Sequence, residues 1–337
     1  MVCDYCDLSR KEGDRFCIYC GEPLFPQNKA LESPVFIFGI IITLVVSALL
    51  LFELYVGIVK SEWVLSYLPG YHTEIFFIVP AIISVFRISG SALQLYYVLL
   101  LIGVTASLIY LFYKAIGPTR KLIGGDRDAM KDTALFEMAT LFSALYLFEL
   151  ILTSVLKACG VNMTSLPERE TWQWMFDLLE ASVWEEIITR VLYLGVPVMI
   201  VYAITKKNEL PLWRYLFGGF GMNTTALVFV VFSAAMFGAG HLTNWGLWKF
   251  IPTFTFGLIA GYLFVKYGVY ATIAMHFLTD YLSAEAWLTG DSMVITALLL
   301  LVLMVLAIPY LLIYFKKGIV FLGNTMKNGE RTPPKTN

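Results

Sequence analysis

Charged side chains are scarce in this sequence. They make up only 15% of its 337 residues, compared with about 25% in a typical soluble protein. This deficit, together with a mean hydropathy of +0.73, excludes a soluble enzyme and a disordered chain. The formal net charge is −1, so the basic surface of a nucleic-acid-binding protein is missing and we expect no nucleic-acid partner. The composition predicts an all-α polytopic protein embedded in the lipid bilayer.

Cysteine is also rare, since the chain has five and four of them fall in the first 20 residues. That number is too small for a disulfide scaffold. The four form two spaced pairs, Cys3-x-x-Cys6 and Cys17-x-x-Cys20, and four thiolates can close a tetrahedral shell around zinc. Reduced thiols in a cytoplasmic setting favour zinc over the alternatives of two disulfides or free thiols. We therefore predict a structural zinc ribbon at residues 1–30, which serves either to dock an unknown protein or as a regulatory module.

Long apolar stretches follow one another after residue 33. We predict that they are helices, because lipid offers no hydrogen-bond partner to an open backbone. They run roughly 35–52, 75–86, 91–113, 133–158, 172–205, 217–241, 247–266, 269–288 and 292–315. The stretch 75–86 is too short to span a bilayer, so we join it to 91–113 as a lead-in or re-entrant piece. About eight crossings result, with nine as the alternative.

Basic residues set the predicted orientation. They concentrate in 114–131, in 206–214 and after Phe315, and basic loops stay in the cytoplasm. With eight crossings both termini are cytoplasmic, whereas nine would put one terminus outside. The predicted units after the ribbon are N-terminal membrane helices (34–171), a core (172–290), a last membrane helix (291–317) and a disordered tail (318–337).

Two adjacent acids interrupt the apolar stretch 172–205. An ionisable group inside a membrane helix is costly unless it is paired or hydrated, so its presence suggests function. Glu186 and Arg190 are four residues apart in the order that favours an ion pair on a helix. Glu185 points about 100° away and has no partner at that spacing. A carboxylate without a cation in an apolar setting suits a general base that acts on water.

Histidine is scarcer still, with three in the chain. His241 ends the sequence Phe237-x-x-x-His241, in which the ring of Phe237 lies one turn earlier. His276 precedes Asp280 by four residues, so that carboxylate can hold the imidazole and fix its tautomer. The two imidazoles can hold a metal and a water, or stabilise an oxyanion without a metal. The sequence His-Glu-x-x-His does not occur, which excludes a zincin.

The three motifs together, in this order, resemble the CPBP family of intramembrane proteases. This family is also called the CAAX protease and bacteriocin-processing family and includes the Rce1-type prenyl proteases. Each motif alone is weakly specific, but their co-occurrence on membrane helices is a strong signal. The resemblance covers about 172–290 and leaves out the first four spans and the ribbon. It implies a helical bundle with a site below the membrane surface that hydrolyses a peptide bond.

The resemblance also implies roles for individual residues. Glu185 would activate water, and Glu186 with Arg190 would support it. His241 and His276 would stabilise the oxyanion or hold a metal. Asp280 stands where the family has Asn or Asp.

Three functions follow from these patterns. The first is an intramembrane endopeptidase that acts on a peptide or membrane-protein substrate, prenylated or not. The second is a membrane immunity or scaffold protein that keeps the bundle without catalysis. The third is a proton-coupled transporter that uses Glu185 and the histidines as a relay, although no internal repeat typical of transporters is evident.

Overall fold

The computed structural model describes residues 29–79, 81–163, 168–205, 210–288 and 292–329. The predicted zinc ribbon, with Cys3, Cys6, Cys17 and Cys20, therefore lies outside the described residues. The described chain is mainly helical, as the scarcity of charge predicts. Its helices are α1 (Lys29–Val59), α2 (Ser61–Tyr67), α3 (Gly90–Ile123), α4 (Asp128–Lys131), α5 (Ala134–Ala158), α6 (Thr171–Glu180), α7 (Val196–Thr205), α8 (Trp213–Phe217), α9 (Thr224–Gly240), α10 (Leu242–Trp245), α11 (Phe250–Lys266), α12 (Val269–Leu288) and α13 (Ser292–Gly329).

Seven helical segments in the described part of the chain are long and apolar enough to cross a membrane. One of them is Thr171–Thr205, which joins α6 to α7 through π-helical turns; we call it the carboxylate helix. The predicted number of crossings was about eight. The difference is α12, which has 20 residues and is not among the seven. These helices support a multi-pass membrane protein, as predicted.

The predicted helix at 75–86 is wrong, because this stretch forms an antiparallel β-hairpin. Strand β1 (His72–Val79) pairs with β2 (Ala81–Ser89). Isoleucine, valine and phenylalanine dominate both strands, and these residues favour the pleated backbone. Each strand supplies hydrogen-bond partners to the backbone of the other along one edge. The pattern of apolar residues alone does not reveal this pairing. The fold is therefore not all-α.

A polar cluster stabilises the exposed face of the hairpin. Ser84 Oγ donates a hydrogen bond of 2.5 Å to Glu74, and Arg87 forms a 3.0 Å ion pair with the same carboxylate. The hydrogen bonds from Ser84 and Arg87 lower the pKa of Glu74 below its ordinary value. The cluster joins the two strands across the face that points away from the bundle.

The structure moves two other predicted boundaries. The predicted helix 217–241 begins only at Thr224, capped by Asn223, whose side chain accepts from the Ala226 N–H. The preceding loop contains Gly218 and Gly219 with positive φ angles of 81° and 73°, a conformation that helices do not use. The last helix continues to Gly329, past residue 318, from which we predict a disordered tail. Residues 330–337 lie outside the described part.

Helices α9 and α11 pack in close contact. A Cβ atom on Gly257 would lie 2.8 Å from the Cα of Ala234, and one on Gly261 would lie 2.9 Å from Val230. Glycines four residues apart allow two membrane helices to approach to backbone contact. This contact fixes α9, which ends immediately before His241, against the helix that precedes α12.

Candidate active site

The two adjacent acids lie where the carboxylate helix widens. Residues Ala181–Glu185 and Ile187–Gly195 are π-helical. In a π-helix the backbone bonds run from residue i to i+5, and such turns are often found at functional sites. Both acids and Arg190 therefore lie in or directly beside these wider turns.

Glu186 is the anchored acid of the pair. It is fully buried and accepts from Arg190 Nε at 3.1 Å, which is the ion pair that the four-residue spacing predicts. Arg190 is equally buried, and its Nη1 donates to Ser233 Oγ on α9 at 2.7 Å. Ser233 in turn donates to the Thr189 carbonyl at 2.6 Å. A buried charge of this kind requires such a network, because desolvation without partners is costly.

His276 connects Glu186 to the other residues of the site. We call the site the Glu–His cluster, or simply the cluster; its members are Glu185, Glu186, Arg190, His241, His276 and Asp280. The Nδ1 of His276 lies 2.9 Å from Glu186 Oε1, so Nδ1–H donates to a carboxylate that can only accept. Its Nε2 lies 3.4 Å from Asp280 Oδ2 and 4.0 Å from Glu185 Oε2. The imidazole is thus held on one side and directed toward two further carboxylates on the other.

Glu185 is the acid without a hydrogen-bonded cation. Its Oε2 is buried and has no hydrogen-bond partner among the described residues. The side chain is 14% exposed, and that of Asp280 is 19% exposed, whereas Glu186 is fully enclosed. Because Glu185 Oε2 and His276 Nε2 are 4.0 Å apart, one water molecule can hydrogen-bond to both atoms. Glu185 therefore offers an unused acceptor next to His276.

His241 adjoins the cluster through an aromatic ring. The ring of Phe237 lies 4.7 Å from the imidazole of His241 and 5.8 Å from that of His276. The Nδ1 of His241 lies 2.9 Å from the Phe237 carbonyl, so Nδ1–H donates there and Nε2 is left as an acceptor. Both imidazole rings are therefore held in a defined orientation beside one phenyl ring.

The structure brings most of the predicted site residues into one connected set. Hydrogen bonds and ion pairs link Glu186, Arg190, His276 and Asp280, and Glu185 lies at the open side of His276. His241 is joined by ring contact and not by a hydrogen bond to these groups.

Sequence reasoning missed two supporting residues, Ser233 and Phe256. Ser233 bonds Arg190, and the ring of Phe256 lies 4.9 Å from His276. A serine deep in the otherwise apolar α9 was a usable signal for Ser233. Phe256 carried none, since aromatic residues are common throughout these helices.

The side chains of this site meet only part of what the binding of a metal ion requires. A histidine that ligates a metal usually donates its other N–H to a carboxylate or carbonyl, and both histidines do so. However, no three His, Cys, Asp or Glu side chains among the described residues are arranged to hold a metal ion.

A separate cavity of about 740 Å³ lies elsewhere in the bundle. Its lining includes Lys114, Arg214 and Lys266 and none of the cluster residues.

Comparison with known proteins supports the resemblance over part of the chain. Residues 167–282 match a family model described as type II CAAX prenyl endopeptidase Rce1-like. The matched range includes every residue of the Glu–His cluster and covers less than half of the chain. No curated protein and no solved structure matches. The match supports an Rce1-like membrane peptidase domain in this range.

Proposed function

We propose that this protein is an intramembrane endopeptidase in which Glu185 activates water to hydrolyse a peptide bond. The observation that carries the proposal is the difference in hydrogen bonding between the two adjacent acids. Arg190 and His276 satisfy Glu186, whereas Glu185 keeps an unbonded oxygen 4.0 Å from His276 Nε2. A general base needs an acceptor within reach of water, and only Glu185 of the two has one.

In the proposed reaction, Glu185 carries one proton from the attacking water to the leaving amine. Glu185 takes a proton from water as the water oxygen attacks the carbonyl carbon of the scissile bond. A protonated His276, flanked by carboxylates, donates a hydrogen bond from Nε2 to the oxyanion that forms and keeps its proton. The C–N bond then breaks, and the proton on Glu185 passes to the leaving amine. His241, with Nε2 as acceptor, orients the attacking water.

The proposed substrate class follows the matched family, whose description names CAAX prenyl endopeptidases. We propose a membrane-associated peptide as substrate, with prenylated Cys-a-a-X sequences as the first candidates. The site lies among helices apolar enough to cross a membrane, so a lipid-modified chain end has an apolar route to it.

The direct test compares cleavage by the full-length protein and two variants in liposomes. We expect Glu185→Gln and His276→Ala each to slow hydrolysis of a farnesylated fluorogenic peptide by about 10²–10⁴-fold, because each removes a proton-transfer or oxyanion group. Glu62→Gln changes an exposed acid and serves as the matched control with unchanged rate. Full activity in both site variants, with unfolding midpoints equal to that of the parent, would rule out the proposed base.

A further inference from the structure

We propose that the free edge of strand β2 binds the peptide substrate as an extended third strand. This inference rests on the proposed function and deepens it by specifying how the peptide is held before cleavage. It is carried by the attachment of the hairpin to the carboxylate helix, the position of its tip, and the open edge of β2.

The carboxylate helix holds the hairpin by its backbone. Trp184 Nε1 donates to the Phe76 carbonyl at 3.0 Å, and Tyr193 Oη donates to the Ile78 carbonyl at 2.5 Å. Trp184 directly precedes Glu185 in the chain. These two bonds occupy the outer edge of β1, so the same helix that carries the proposed base also sets the position of the hairpin.

The tip of the hairpin lies beside the second histidine. Gly240 packs so closely on Ile78 that a Cβ atom on it would lie 2.8 Å from Ile78 Cγ2. Gly240 immediately precedes His241, and β2 contacts α10, which begins immediately after it. A peptide that follows β2 to the tip of the hairpin therefore arrives next to His241.

The pairing register shows which backbone groups of β2 are free. In an antiparallel strand the N–H and C=O of one residue point to the same edge, and those of its neighbours point to the opposite edge. The two carbonyls bonded to the helix flank Phe77, so Phe77 points to β2, where its partner is Ile83. Ile83 therefore points to β1, and the backbones of Ile82 and Ser84 point outward.

The outer edge of β2 is exposed, and its regular part lies between the hairpin tip and Val85, where the pairing register shifts. The strand has nine residues and is exposed over nearly its whole length, including Ile82, Ile83, Val85 and Phe86. Proteins usually shorten, charge or cover such an edge, and open sheet edges are not tolerated against lipid. An extended peptide supplies the missing backbone partners, as in other complexes that add a strand to a sheet. It also exposes the amide bonds that a helical substrate would hide.

The first test removes one outward N–H from the strand. The farnesylated fluorogenic peptide is titrated into full-length Glu185→Gln protein in nanodiscs, alone or with Ser84→Pro or Ser84→Ala. Proline at an outward position leaves the β1–β2 ladder intact but cannot donate to a peptide, so we expect binding weaker by about fivefold to tenfold. Alanine keeps the N–H and removes only the hydroxyl that bonds Glu74, so binding should stay within about twofold. Equal affinity of the two variants would overturn the inference.

The second test leaves the protein unchanged. Peptides N-methylated at successive positions are assayed with the parent protein for KM and kcat. A bound strand predicts that KM rises at every second position, because alternate amides face β2. Uniform effects, or none, would overturn strand addition. If the Glu185→Gln variant still cleaves the peptide, the proposed function fails, but the peptide titration still tests whether the edge of β2 binds the peptide. If the variant is inactive and KM does not rise at alternate positions, only the strand-addition inference fails.

Discussion

Loss of Arg190 should destabilise the protein through the charge it leaves behind. Arg190 and Glu186 are both fully buried and 3.1 Å apart. Removing one member of a buried ion pair usually costs about 3–5 kcal/mol. Since His276 still donates to Glu186, we expect Arg190→Met to lower the free energy of unfolding by the smaller figure, about 3 kcal/mol.

A double-mutant cycle isolates this interaction. Tryptophan fluorescence during denaturant titration in micelles gives the unfolding free energies of Arg190→Met, Glu186→Gln and the double variant. We expect a coupling energy on the order of 2 kcal/mol between the two sites. The exposed pair Arg87–Glu74, with side chains 60% and 45% exposed, supplies the control, and Arg87→Met should cost less than about 1 kcal/mol. Single effects that add to within about 0.5 kcal/mol would refute the argument.

Two further predictions concern the hairpin contact and the amino-terminal cysteines. Gly240→Ala should lower stability by about 1–3 kcal/mol, since the new methyl group overlaps Ile78; adding Ile78→Ala should restore part of the loss, and an unchanged denaturation midpoint in Gly240→Ala would contradict the close packing. We also propose that residues 1–30 bind zinc, so metal analysis of the intact chain should find about one zinc per ribbon, and a chain without these residues should lose it. Zinc retained at the same ratio would point to another site.

The local contacts of the candidate site could be predicted from the sequence, because they depend on helix periodicity. Glu186 and Arg190, like His276 and Asp280, are four residues apart, and each pair lies within 3.4 Å in the structure. The bond between Glu186 and His276 joins residues 90 positions apart, so it depends on how two helices pack. Spacing within one helix does not contain that information.

The hairpin shows a different limit of sequence reasoning. The stretch 75–86 is as apolar as a membrane helix, and length alone does not distinguish a short helix from two paired strands. The enrichment in β-branched and aromatic residues was the available signal. The hydrogen bonds that Trp184 and Tyr193 donate to backbone carbonyls of the hairpin depend on tertiary structure and could not be predicted.

The glycine contact between α9 and α11 restricts how a membrane-embedded chain can enter the protein. Separating the two helices would require pulling apart surfaces that meet at Gly257 and Ala234 with no side chain larger than a methyl group between them. Tight contacts of this kind lose dispersion energy steeply with distance. Lateral passage of a substrate from the bilayer is therefore unfavourable between α9 and α11.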